Sequence, residues 1–404
     1  MRKARFLFMM ILFLLVLTSC VGKREINDLS LVMAVGLDKG SEDGKIKVTV
    51  QIARPGDARG QTGAPTGQTG EPIWSVEAEG ETIFEAIRNL SSFTSRRIFW
   101  AHNFIIVINE ELAKEGIAEI IDFFTRNPEL RMKTYVVVSP ENAGEVVSTI
   151  TGIEVIPGET LFKLFRYSRL SGFAPKTQMM DLQAAYLNES SQPVLARVKL
   201  KKSEISNKEP GKGPTIKQVE LAGAGIFIDD KLVGILEPKE TKGMLYFREQ
   251  LESVVLTVPC PSDNEKSLSV EMRNENFDVE PLYKNNTISF QAKITSYARV
   301  VDAGCPFSIR NQEEVKQLEH VIENELKTDI SQTINKLQKE YKSDVLELGK
   351  VFQNQYPYEW KQLSGEWENV FPTVTINISA DAHVIHGSLL IEETKSGKKE
   401  KLIE

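Results

Sequence analysis

The residues that decide the fold are Arg96–Ser139, which read RRIFWAHNFIIVINEELAKEGIAEIIDFFTRNPELRMKTYVVVS. The uninterrupted apolar run Phe104–Ile108 predicts a buried strand, because a strand covered on both faces need not alternate with polar residues. The apolar residues of Glu110–Thr125 have helical spacing, and Tyr135–Val138 predicts a second strand. This strand–helix–strand order indicates a fold that mixes helices with strands.

The same mixture continues on both sides of this stretch. Before it, the apolar run Leu29–Asp38 and the alternating run Ile46–Ile52 predict a hairpin, since turn-forming residues separate them. At its end, Ser139 followed by Pro140 predicts the start of a further helix. The remaining predicted elements of this half are strands at Ile73–Gly80 and Val194–Leu200 and helices at Thr82–Phe93, Glu159–Leu170 and Thr177–Leu187.

The second half of the chain predicts more strands and one long helix. Residues Lys201–Pro214 are charged and poor in apolar side chains, which predicts a linker. Across Asn311–Phe352, apolar residues recur every three or four positions and predict one continuous helix. The other predicted elements are strands at Val219–Ile228, Leu232–Leu236, Val254–Val258, Leu268–Met272, Ile288–Tyr297 and Val374–His383, and helices at Lys239–Arg248 and Glu359–Trp367.

These elements predict an α+β protein of three mixed α/β domains with largely antiparallel sheets, after a cleaved lipoprotein signal peptide. The predicted parts are a signal peptide (1–19), an N-terminal α+β domain (20–200), a middle β-rich domain (201–299), a C-terminal domain with the long helix (300–398) and a tail (399–404). The glycine-rich stretch Pro55–Pro72 predicts an exposed loop, either a tolerated insertion or a segment that docks a partner.

The first twenty residues, MRKARFLFMMILFLLVLTSC, have the form of an export signal. The apolar run Phe6–Leu17 has 12 residues, whereas a membrane-spanning helix needs ~20. The ending Leu17-Thr18-Ser19-Cys20 resembles the lipobox of bacterial lipoproteins. The resemblance implies a diacylglyceryl group on the thiol of Cys20, cleavage just before Cys20 and a mature chain of 385 residues. An ordinary cleaved signal, with Cys20 incidental, is the alternative.

Composition narrows the class of partner. The chain is 41% hydrophobic and 26% charged, as expected of a globular protein, and its formal net charge is −7. Cleavage before Cys20 removes Arg2, Lys3 and Arg5 and makes the net charge −10. A protein this acidic should not bind nucleic acid or anionic headgroups by net charge alone, so we expect the lipid to provide membrane attachment.

No complete catalytic motif occurs, so the sequence predicts no catalytic residue, metal or cofactor. There is no G-x-S-x-G, H-E-x-x-H or G-x-x-x-x-G-K-[ST]. Asp229-Asp230 suits a hairpin turn better than a pair of catalytic acids. Cys260 and Cys305 form either a disulfide or two buried thiols. The only histidines are His102, His320, His383 and His386, and none of their spacings suits a metal site.

Three passages carry a family resemblance: Arg24–Asp38, Arg96–Ser139 and Leu221–Leu245, with Tyr358-Glu359-Trp360 and Trp367 further on. They resemble the Ger(x)C lipoproteins, the C subunits of nutrient germinant receptors in endospore-forming bacteria. The passages occur in the family's order and, together with the lipobox, cover nearly the whole mature chain.

The resemblance implies a lipid-anchored, non-enzymatic receptor subunit on the outer face of the spore inner membrane. Its implied partners are the integral-membrane A and B subunits, and its implied role is receptor assembly or signal transduction during germination. Direct binding of the nutrient stays open. From the residues themselves, a solute-binding lipoprotein of a transporter is the alternative, and a cell-envelope enzyme is a third class.

Overall fold

The computed structural model describes residues 28–53, 73–149, 156–203, 216–248, 251–305 and 307–385. The predicted signal peptide with Cys20, the glycine-rich stretch Pro55–Pro72, His386 and the predicted tail lie outside the described residues. The described strands form two sheets, and the first one contains the strands of Arg96–Ser139.

The first sheet has nine strands in the order β3-β2-β1-β5-β6-β7-β8-β9, with β4 paired to β1. Its centre is parallel: β1 pairs with β4 and β5, β5 with β6 and β6 with β7, whereas the outer pairs are antiparallel. The strands are β1 Leu29–Lys39, β2 Ile46–Ala53, β3 Ile73–Gly80, β4 Arg97–Phe99, β5 Ile105–Asn109, β6 Tyr135–Ser139, β7 Val194–Ser203, β8 Ile216–Ile228 and β9 Lys231–Leu236.

Helices cover both faces of this sheet, which explains why β5 and β6 are apolar throughout. Alternate residues of β5 face opposite cores: Ile106 and Ile108 belong to one, and Ile105 and Val107 to the other. The helices of this half are α1 Ile83–Leu90, α2 Glu110–Glu115, α3 Ala118–Arg126, α4 Ala143–Ser148, α5 Pro157–Leu164, α6 Ser168–Ser171 and α7 Met179–Tyr186.

The second sheet has four strands in the order β10-β11-β12-β13. Its main feature is a long antiparallel hairpin of β11 and β12, closed by Asn285 and Asn286 with φ of 51° and 61°. The strands are β10 Ser253–Cys260, β11 Asp263–Lys284, β12 Thr287–Ala303 and β13 Thr375–Val384. The helices of this half are α8 Pro238–Phe247, α9 Gln312–Asn335, α10 Leu348–Gln355, α11 Pro357–Leu363 and α12 Trp367–Val370.

The α+β class is confirmed, with local differences in the helices. The helix predicted over Glu110–Thr125 is two helices, because Gly116 at φ 137° ends α2. The helix start predicted at Ser139 is wrong. Helix α4 begins at Ala143 instead, because the carboxylate of Asp38 accepts hydrogen bonds from the amides of Ala143 (2.7 Å) and Gly144 (3.0 Å).

The long helix predicted over Asn311–Phe352 is also interrupted. Helix α9 ends at Asn335 and continues as a π-helical turn, Lys336–Tyr341, after which Lys342 is left-handed (φ 54°). A connection of five residues then leads to α10. The apolar period does not reveal this break, because the polar side chains that form it bond to the other half of the molecule.

The two predicted internal boundaries do not separate the sheets. Strands β7 and β8 pair antiparallel across residue 201, which places β8 and β9 in the first sheet. Strand β12 crosses residue 300 and pairs parallel with β13. Backbone pairing therefore extends across both boundaries, and the division into three domains remains a prediction.

Candidate functional site

The Asp229-Asp230 pair, considered in the sequence as possible catalytic acids, has a structural role in the fold. Asp229 has φ 51° and forms the β8–β9 turn, as the hairpin interpretation predicts. Asp230 accepts hydrogen bonds from the amides of Ile117 and Ala118 and so holds the start of α3. In the described part of the chain, no group of three or more His, Cys, Asp or Glu side chains could hold a metal ion.

Cys260 and Cys305 form a disulfide, which resolves the alternative that the sequence left open. Cys260 ends β10 and Cys305 follows β12, and both side chains are buried. The bond therefore ties the two outer strands of the long antiparallel meander together at one end. Because such bonds persist in oxidising compartments, this pairing agrees with the export signal.

A buried polar cluster connects the two halves; we call it the junction and define it as residues 341–349 together with their partners in the first half. Tyr341 donates a hydrogen bond from its hydroxyl to the carbonyl of Ile235 in β9 (2.9 Å). Ser343 donates to the carbonyl of Phe227 in β8 (2.6 Å). These bonds attach the connection between α9 and α10 to the edge of the nine-stranded sheet.

Asp344 is the centre of the junction and is 2% exposed. Its carboxylate accepts hydrogen bonds from the amides of Leu348 (3.1 Å) and Gly349 (2.7 Å) and from the indole of Trp367 (2.8 Å). Its carbonyl accepts one from the amide of Gln192 (3.1 Å) in the first half. Burial outweighs these donors and raises the pKa of Asp344 to about 6.

Charged contacts surround the junction. Arg248, which is 14% exposed, pairs with Glu347 (3.0 Å) and donates to the carbonyl of Val345 (3.0 Å). Lys336 pairs with Glu240 of α8 (2.8 Å). These charged contacts lie within the second half, whereas the hydrogen bonds of Tyr341, Ser343 and Asp344 join that half to the first one.

A second feature is an open groove of about 600 Å³ beside β4, which we call the arginine groove. Arg97 pairs there with Glu129 (2.6 Å), and the guanidinium of Arg88 lies 5.6 Å from the ring centre of Phe84. The groove is lined by the exposed side of α1 and by residues of 94–100 and 127–129. The cationic and aromatic side chains suit an anionic ligand.

Two family profiles match the chain in succession. The profile described as "Spore germination protein N-terminal domain" matches residues 22–200, and the one described as "Spore germination B3/ GerAC like, C-terminal" matches residues 222–388. The chain belongs to the Ger(x)C family. This confirms the resemblance drawn from the three sequence passages.

Relatives of this Ger(x)C chain include two proteins of Bacillus subtilis (strain 168). The "Spore germination protein KC" is 27% identical over 349 residues, 83% of this chain and 84% of that protein. The "Putative spore germination protein YfkR" is 25% identical over 327 residues, 81% of this chain and 82% of that protein. A crystal structure of the GerBC protein matches the fold with a TM-score of 0.55 at 20% identity and covers 87% of this chain and 97% of that one.

The Ger(x)C passages form several strands and helices of the fold. Arg96–Ser139 supplies β4, β5 and β6, and Leu221–Leu245 supplies most of β8, all of β9 and most of α8. Trp360 and Trp367 pack against each other edge-on, with ring centres 5.3 Å apart, in the hydrophobic core of the second half. Cys20 lies outside the described residues, and no helix within them is long and apolar enough to cross a bilayer.

Sequence reasoning missed both the junction and the arginine groove. The signal for the junction was weak, because Ser343-Asp344 interrupts the apolar pattern by only two polar residues. The signal for the groove was the pair Arg96-Arg97 at the start of the passage Arg96–Ser139.

Proposed function

We propose that this chain is the lipid-anchored, non-enzymatic C subunit of a spore nutrient germinant receptor, and that it acts in receptor assembly or signal transduction. The observation that carries the proposal is the succession of the two family matches behind a lipobox. The partners in this proposal are the integral-membrane A and B subunits. The site of action is the outer face of the spore inner membrane.

The lipid at Cys20 gives the proposal its physical basis. A tether turns docking onto a membrane partner into a nearly intramolecular event and so raises the effective concentration of the docking surface. The junction supports the transduction role, because buried bonds such as Ser343 to Phe227 couple the two halves. A subunit built in this way can pass a displacement from one partner to another without catalysis.

Deleting the gene tests the proposed function. We expect germination by one class of nutrient, amino acids or sugars, to be lost while germination by the others persists. Purifying the tagged chain from detergent-solubilised spore membranes should also recover two integral-membrane proteins. Normal germination with every nutrient would contradict the proposal.

Cys20→Ala tests the anchor. We expect the variant to fold, because Cys20 precedes the first described residue by eight positions, but to lose membrane association and most of its activity in germination. Ser19→Ala is the matched control, since it changes the neighbouring small residue and leaves the thiol. Full germination by Cys20→Ala at normal protein levels would show that the lipid is dispensable.

Thermal-shift screening with amino acids and sugars distinguishes the proposed receptor subunit from the alternative, a solute-binding lipoprotein of a transporter. A receptor subunit of the proposed kind should show no shift in isolation. A saturable shift with a single ligand would favour the solute-binding function.

A further inference from the structure

The arginine groove contains cationic side chains without acidic partners. Among the described residues, neither Arg88 nor Arg96 forms an ion pair, whereas Arg97 is held by Glu129. The hydroxyl of Thr94 is buried at the groove and has no hydrogen-bond partner in the described part of the chain. Exposed guanidinium groups without an acidic partner favour phosphate oxygens as the ligand.

One exposed aromatic ring, that of Phe84, lies 5.6 Å from the guanidinium of Arg88, and a second exposed ring, Phe93, follows α1 in the chain. Phe84 is 59% exposed and Phe93 is 52% exposed, on α1 and on the connection that follows it. Aromatic rings next to guanidinium groups are the combination found where a protein meets lipid headgroups.

The groove lies where the chain enters the fold. Strand β4 pairs parallel with the first residues of β1, with Arg97 opposite Leu29 and Ile98 opposite Ser30. Cys20 precedes Leu29 by nine residues. At ~3.3–3.6 Å per residue, a chain anchored at Cys20 keeps this edge within about 30 Å of the bilayer.

The fold also separates charge between the two edges of the first sheet. The edge at which β1, β5 and β6 begin, which we call the arginine edge, carries more basic than acidic side chains in its helix ends and connections. The basic ones are Arg88, Arg96, Arg97, Arg131 and Lys133. This local positive charge exists although the whole chain has a net charge of −7.

The opposite edge, where the same strands end, is acidic. Its lysines lie in ion pairs, such as Lys39 with Glu115 and Lys114 with Glu111. Its acidic residues outnumber these lysines, and Glu81, Glu85 and Glu119 form no ion pair among the described residues. A negatively charged surface would therefore attract the arginine edge and repel the opposite edge.

We propose that the arginine edge docks on anionic phospholipid headgroups of the membrane that holds the chain. The guanidinium groups of Arg88 and Arg96 bind lipid phosphates, and the ring of Phe84 lies at headgroup level. The inference rests on the proposed function in one respect, since the lipid at Cys20 supplies the proximity. It adds an orientation: the first sheet stands on the membrane by the edge at which its parallel strands begin.

The test uses the full lipidated chain in vesicles that contain a headgroup-attached quencher. A fluorophore on Phe93→Cys reports the arginine edge, and one on Glu111→Cys reports the opposite edge. Labelling is selective, because Cys260 and Cys305 are paired and the lipid occupies the thiol of Cys20 in the proposed form. The vesicles are phosphatidylcholine alone or phosphatidylcholine with about one-third phosphatidylglycerol, a composition in which each nearby arginine favours docking about fivefold.

We expect the label at position 93 to be quenched several-fold more in the anionic vesicles, and the label at 111 to stay unquenched in both. Adding Arg88→Gln and Arg96→Gln should shift the docked fraction about 25-fold toward the undocked state. Equal quenching at 93 in both vesicle types, or no effect of the two substitutions, would overturn the inference. Quenching that requires the A and B subunits would overturn it in favour of a protein contact.

Flotation with neutral vesicles separates this inference from the proposed function. A chain that floats with phosphatidylcholine but stays unquenched at 93 in anionic vesicles contradicts the inference alone. If the chain floats only with anionic vesicles and is quenched there, the result supports docking by the arginine edge and contradicts the anchor at Cys20.

Discussion

Asp344 is a carboxyl group that folding places away from water. Burial raises its pKa to about 6 from an ordinary value of 3.8, so the folded chain binds this proton more tightly than the unfolded chain. As the pH rises from 4 to 6, the carboxyl of Asp344 loses its proton in the unfolded chain before it does so in the folded chain. The contribution of Asp344 to the free energy of unfolding therefore falls as pH rises through this window, by up to about 3 kcal/mol, and is constant above it.

Asp344→Asn should remove this part of the pH dependence. We expect the free energy of unfolding of the wild type, from urea titrations at pH 4.5 and 7.5, to fall more steeply with pH than that of the variant. Asp43→Asn, at an exposed position, is the control. Asp38 and Asp329, whose pKa values burial also raises, contribute equally to both curves. Parallel curves for wild type and Asp344→Asn would contradict the assignment.

Gly349 lies against the junction, and the space for a side chain is missing there. A Cβ atom would lie 2.6 Å from the carbonyl oxygen of Ser190 and 2.7 Å from the indole nitrogen of Trp367. We expect Gly349→Ala to lower the free energy of unfolding by about 1–3 kcal/mol. Gly365→Ala is the matched control, since nothing lies within 4 Å of its Cβ position. Equal stabilities of the two variants would show that the junction adapts.

At the scale of elements, the β11–β12 hairpin shows where sequence patterns stop being informative. Only Leu268–Met272 and Ile288–Tyr297 were predicted as strands, whereas the hairpin extends over Asp263–Ala303. Residues 273–276 (RNEN) contain no apolar side chain, yet they belong to β11 because its partner β12 supplies the backbone hydrogen bonds. Pairing, rather than local propensity, decides these residues.

The disulfide should stabilise this hairpin and β10 together. It closes a loop between residues 45 positions apart, so replacing Cys260 and Cys305 with alanine should lower the free energy of unfolding by about 2–4 kcal/mol. Urea unfolding with and without reductant measures the effect. Reductant should weaken the wild type and leave the double variant unchanged, and a double variant as stable as the oxidised wild type would contradict this expectation.

At the scale of the whole molecule, the junction connects the two sheets through hydrogen bonds. Tyr341→Phe with Ser343→Ala removes the side-chain hydrogen bonds to β8 and β9 and leaves two carbonyls without those donors, at a cost of about 1–3 kcal/mol each. We expect scanning calorimetry to show two separated transitions in place of one. Tyr358→Phe is the control, because that ring is 79% exposed. A single transition at the wild-type temperature would show that packing alone couples the halves.

The sequence by itself determined the α+β class, most of the strand and helix positions, and the family. Those depend on local periodicity and on contiguous passages such as Arg96–Ser139, which can be recognised without knowledge of the fold. It also predicted an acidic protein held by lipid at Cys20, from net charge and the leader.

The tertiary structure alone decided which strands share a sheet, that Cys260 pairs with Cys305, and that Asp344 is buried against Trp367. These contacts join residues far apart in the chain, and their energies depend on the burial that folding creates. The distribution of charge is the clearest case. A net charge of −7 argues against binding to anionic surfaces, but the parallel order of β1, β5 and β6 gathers arginines at one edge and glutamates at the other. Net charge is a sum over residues, whereas binding depends on the field at one surface.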